Sequence, residues 1–100
     1  MKKYIKISER NSKDNSVIEY YLLSVDVIEY VHVCLDNLRK DKDGKCCYYI
    51  NLVVRELAPM RVCASTDKDT VEWWFDHFCK WLTDENAKFE IFNFDVCEDL

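Results

Sequence analysis

A chain of 100 residues, 49% apolar, with one glycine and one proline, has material for one buried core and almost no linker punctuation, so a single domain spanning 1–100 is expected and disorder is not. The net charge of −5 argues against direct nucleic-acid binding, since phosphate contacts need clustered Lys and Arg. Residues 1–55 carry ten Lys/Arg against eight Asp/Glu, whereas residues 56–100 carry four against eleven. The acidic second half suits a basic protein partner, including one that itself binds nucleic acid.

Taken in chain order, Lys2 to Ser8 reads as a strand, Glu9 to Ser16 as a polar turn, and Val17 to Ser24 as a second strand rich in β-branched and aromatic residues. Val25 to Arg39 fits two patterns. As a helix it gathers Val27, Ile28, Val31, Cys34, Leu35 and Leu38 on one stripe; as a strand it alternates Val25, Val27, Val31 and Val33. Fifteen residues are long for a strand, so length favours the helix. Asp41 to Lys45, with its Asp-Gly pair, is a turn. Cys46 to Leu57 is a strand, Pro59 breaks it, and Met60 to Ala64 is a shorter one. Thr70 to Asp84 is the clearest helix: Val71, Trp74, Phe75, Phe78, Cys79 and Leu82 repeat at helical spacing, and Asp69 with Glu72 resembles a capping box. Lys88 to Asp95 closes the chain as a strand.

From Val17 onward this order is β-α-β-β-α-β. It predicts an α+β fold in which two helices cover one face of an antiparallel sheet, a ferredoxin-like arrangement with an extra N-terminal strand. The opening MKKYIKI lacks the apolar run of a signal peptide, and no segment approaches a membrane span. A cytoplasmic protein with its six cysteines reduced is expected, contacting no membrane.

Two His-x-Cys pairs, His32/Cys34 and His77/Cys79, invite a zinc site. On helices, residues two apart point in different directions, and Cys-x-x-Cys knuckles are absent, so no metal is expected. Asp41, Asp43 and Gly44 begin like a calcium loop, but the strand that follows lacks the closing Glu. A single glycine cannot build a phosphate loop, a nucleophile elbow or a dinucleotide fingerprint, and no local feature marks an activated thiol. No cofactor and no catalytic residue are therefore expected.

Two surfaces stand out. Trp73 projects to the polar side of the second helix beside His77, Lys80 and Asp84, with Glu72 and Asp76 making the rim acidic. A large aromatic on a charged face is an interface anchor where it is not a chance exposure. The second is the open sheet face, with Tyr49, Asn51 and Val53 alternating against the core set Tyr48, Ile50, Leu52 and Val54, joined by Tyr21 and Leu23 and by Phe92 or Phe89. The Gly-aromatic pattern of RNA-recognition strands is missing. The leading expectation is thus a small acidic protein-binding module using Trp73, Asp76, His77, Lys80, Asp84, Tyr21 and Tyr49. Its profile suits the small inhibitors and immunity proteins of bacteria and mobile elements. Against it stands a small-ligand-binding or regulatory domain that forms a homodimer through the sheet face, and, further back, a thiol- or zinc-dependent protein.

Overall fold

The computed structural model describes residues 2–10, 14 and 16–96, with the side chains of 9, 10, 17, 18, 39, 95 and 96 left aside. Its elements are β1 (Tyr4–Arg10), β2 (Val17–Ser24), a 3-10 turn (Val25–Val27), β3 (Ile28–Lys40), β4 (Cys46–Val54), β5 (Met60–Ser65), α1 (Lys68–Thr83) and β6 (Ile91–Val96). The strands form two three-stranded sheets, β2-β1-β6 and β3-β4-β5. In the first, β1 runs antiparallel to β2 and parallel to β6, with Ile5 opposite Leu23 on one side and Phe92 on the other. The second is antiparallel throughout.

The α+β, ferredoxin-like expectation is therefore corrected: the described chain is mostly β, with one α-helix and two sheets, and one of its pairings is parallel. The error lies in Val25 to Arg39. Its apparent length is broken physically, because Ser24 caps a separate 3-10 turn and β3 is interrupted by irregularities between Ile28 and Tyr30 and between Asp36 and Lys40. What remains regular, Tyr30 to Asp36, is an ordinary strand length. The valines decide the conformation: Val31 and Val33 turn inward onto the core, as β-branched residues on a pleated surface do. Leu38, which a helical stripe would bury, is 96% exposed.

Helix α1 forms where its pattern places it. Val71, Phe78 and Trp81 are buried, with Trp74, Phe75 and Leu82 packed at the margin. Its N-cap is Asp67 rather than Asp69: the Asp67 carboxylate accepts from the Asp69 amide at 3.1 Å and the Thr70 hydroxyl at 2.7 Å. Glu72 instead pairs with Lys68 across one turn at 3.5 Å. At the far end the Lys3 ammonium donates to the carbonyls of Trp81, Leu82 and Asp84 at 2.7, 3.1 and 2.6 Å, tying the N-terminus to the negative end of the helix.

The core joins the two sheets through this helix. Ile5 and Ile7 of β1, Phe92 and Phe94 of β6, Ile50, Leu52 and Val54 of β4, and Val62 of β5 converge on Val71, Phe78 and Trp81. Phe78 sits 5.2 and 5.0 Å from the rings of Phe92 and Phe94. Burying each such side chain stabilises the fold by about 2 kcal/mol relative to exposure. The consequence for function is that α1 covers one face of the second sheet and, among the described residues, leaves the other open.

Candidate functional site

The outer side of α1 is the first candidate surface. Trp73 is 56% exposed, as its place on the helix predicts. It stacks on His77 at 4.7 Å with the planes 12° apart, and meets the edge of Trp74 at 5.0 Å. The i,i+4 spacing brings the two stacked rings together, holding Trp73 in place while its outer face stays in water. Lys80 pairs with Asp76 at 3.0 Å one turn along. Asp84 is the C-cap, and its carboxylate accepts from the Asn86 amide at 2.9 Å. Beyond His77 lies a recess of about 350 Å³ lined by Lys80, Trp81, Asp84, Lys88 and Phe89. Trp81 stacks on Phe89 at 5.9 Å and donates its indole N–H to the Phe89 carbonyl at 3.0 Å, so the loop before β6 forms the wall. Residues 67–90 carry seven carboxylates against three lysines. Five of the expected residues, Trp73, Asp76, His77, Lys80 and Asp84, thus lie along one helix surface and its end. Trp81 and Phe89 complete the recess and were not legible as a pair, since only the loop's course joins them.

Tyr21 and Tyr49 do not share a surface with this group. Tyr21 and Leu23 pack against the core, and the Tyr21 hydroxyl donates to the Glu19 carboxylate. The residues of β2 that face outward are the alternate ones, Tyr20 and Leu22, 64% and 60% exposed. Phe92 is likewise in the core, and Phe89 is at the helix recess.

Tyr49 belongs to the open face of the second sheet, where β3, β4 and β5 assemble a polar network that the helical reading of β3 concealed. Strand alternation sets Tyr30, His32, Cys34 and Asp36 on one face of β3. Register then places Asn51 opposite His32 and Tyr49 opposite Cys34. His32 Nδ1 lies 3.1 Å from Cys34 Sγ, and its Nε2 lies 3.0 Å from the Asn51 side-chain amide nitrogen. Arg61 of β5 stacks over the Tyr49 ring at 4.1 Å and pairs with Asp36 at 3.0 Å. Burial, followed by the hydrogen bond to Cys34 and the charges of Cys34 and Asp36, pushes the Tyr49 phenol up, against a downward pull from Arg61. Tyr49 is therefore a neutral hydroxyl at physiological pH.

The two His-x-Cys pairs sit on opposite sides of the second sheet, His32/Cys34 on its open face and His77/Cys79 on α1. Helix geometry splays only the second pair, because on a strand residues two apart share a face. No group of three or more His, Cys, Asp or Glu side chains that could hold a metal occurs among the described residues. Asp41 and Gly44 form the β3–β4 turn, with the Asp41 carboxylate accepting from the amides of Asp43 and Lys45 at 2.8 and 2.9 Å. Among the described residues no helix is long and apolar enough to cross a membrane.

No family model, curated protein or solved structure matches the chain significantly. The inhibitor and immunity-protein expectation consequently has no relative behind it, and the ferredoxin-like α+β architecture that accompanied it is replaced by a mostly β one.

Proposed function

We propose that the chain is a protein-binding module that docks a basic partner surface on the outer side of α1. The single observation that carries this is Trp73, half in water yet fixed by its stack on His77, beside a recess lined by Trp81 and Phe89. Aromatic anchors of this kind carry a disproportionate share of binding energy, because they bury a large area with little loss of rotamer freedom. The surrounding excess of carboxylates supports a partner rich in Lys and Arg, of the sort that also binds nucleic acid, and would speed encounter by electrostatic steering. A cytoplasmic setting is part of the proposal, supported by Cys34, Cys46 and Cys79, which stand as thiols outside any disulfide.

The test is quantitative capture of a partner by the wild-type chain and by Trp73→Ala. The variant should lose tenfold or more in affinity, about 1.4 kcal/mol or above. Wild-type binding should also weaken as salt rises from about 0.05 M to about 0.5 M. A partner held equally by both proteins, or held regardless of salt, contradicts the proposal.

A second reading has one observation in its favour. Tyr20 and Leu22 lie exposed on β2, an edge strand among those described, where an apolar sheet face is commonly covered by a second copy. It predicts a homodimer, with a small-ligand or regulatory role, and a monomeric mass by light scattering at micromolar concentration removes it.

A further inference from the structure

The open face of the second sheet holds a nucleophile, a base and an orienting group in line. Cys34 Sγ is 3.1 Å from His32 Nδ1, within the reach a general base needs. The other imidazole nitrogen is held by the Asn51 side-chain amide at 3.0 Å, from directly across the β3–β4 ladder. That amide can present its oxygen or its nitrogen by a half-turn about its last bond. With the oxygen facing His32, Nε2 carries the proton and Nδ1 is left free to accept one from Cys34. A nucleophile within reach of a base, the base in turn aimed by a third group, is the arrangement that activates a thiol. All three side chains stand on adjacent strands of one sheet, which fixes them more tightly than a loop would. Cys34 is partly exposed, and among the described strands β3 is paired on one side only, so a reagent can approach the sulfur.

We propose that Cys34 is a nucleophilic thiol, served by His32 as base and Asn51 as its positioning residue, which exchanges with small disulfides. In the step, His32 Nδ1 takes the thiol proton and the sulfur attacks one sulfur of the disulfide RS–SR. The Cys34–SR bond forms as the S–S bond breaks, and the departing RS⁻ takes the proton from His32 to leave as RSH. Cys34 is oxidised, one half of the disulfide is reduced, and no other oxidant is required. Such exchange builds no charge on an acyl oxygen and so needs no oxyanion pocket, which suits an open sheet face. The groups facing the sulfur are His32 and Asp36 on its own strand, Tyr49 across from it on β4, and Arg61 beyond on β5. Tyr49 sits opposite Cys34 in the β3–β4 register. The site lies across the sheet from α1 and does not depend on the docking surface.

The experiment is labelling of the native wild-type chain with dithionitrobenzoate, followed by release of the coloured thiolate and by peptide mapping. Cys34 should react first, about tenfold or more faster than a small model thiol at the same pH. His32→Gln should cut that rate about tenfold and change its dependence on pH. Cys34→Ser should remove the fast phase, and Cys46→Ser should keep it. A Cys34 no faster than the model thiol in the wild-type chain overturns the proposal, as does a His32→Gln variant, folded by near-ultraviolet circular dichroism, with an unchanged rate and pH profile.

Discussion

Cys63 occupies a left-handed conformation, with φ of 55°, inside β5. The register explains why: Tyr48 to Ile50 on β4 spans the same length as Val62 to Ser65 on β5, so one extra residue must be absorbed there. A side chain in this region costs about 1–2 kcal/mol, which glycine would not incur. Cys63→Gly trades that strain against lost packing and should stay within about 1 kcal/mol of wild type, whereas the β-branched Cys63→Val should lose about 1–3 kcal/mol, both read from urea midpoints. Asp67 gives a pH-dependent counterpart. The Thr70 hydroxyl, aided by the amides of Asp69 and Thr70, holds its carboxyl below the ordinary value of 3.8, against a smaller opposing effect of burial. A carboxyl lowered in the folded state adds stability that is present above its unfolded value and fades as pH falls through the folded one. Asp67→Ala should therefore lower the melting temperature at neutral pH and make the loss below about pH 4 shallower. At this scale the exposure of Trp73 was legible from the helical wheel alone, because polar neighbours at i+3, i+4 and i+7 define its face. Tyr21 was not, because one step of register in β2 exchanges it with Tyr20.

At the scale of elements, α1 and β4 could be read directly: each has one period and only one. Residues 25–39 carry both periods, and what settles them is long-range. Val31 and Val33 are drawn onto the core while β4 supplies the hydrogen-bond partners of the strand. Reading the strand first would have exposed the network of His32, Cys34, Asp36, Tyr49 and Asn51, since alternation sets them on one face. Because β3 pairs with β4 alone among the described strands, amide exchange along Tyr30 to Asp36 should alternate between protected and unprotected residues. Uniform protection, as in a helix, would contradict the assignment. The β3–β4 turn makes a separate test. Gly44 has φ of 79° and nothing within 4 Å of an added Cβ, so Gly44→Ala should cost about 1–2 kcal/mol from conformation alone.

For the whole molecule, the charge asymmetry visible in the sequence becomes a spatial one. Most of the excess carboxylate gathers on and around α1 and the loop that follows it. What composition could not supply is which aromatics share a surface: the fold brings Phe89 to Trp81 and sends Phe92 inward, though both lie in the same short segment. The parallel pairing of β1 with β6, the chain's two ends, was equally out of reach, since nothing local to either strand names its partner. The central claim is that the outer side of α1 is where a partner docks. Hydroxyl-radical footprinting of the chain, free and bound to a captured partner, tests it most directly. Protection should fall on Trp73, His77 and Phe89, with Tyr20 and Leu22 unchanged; protection of Tyr20 and Leu22 with Trp73 left reactive would contradict it.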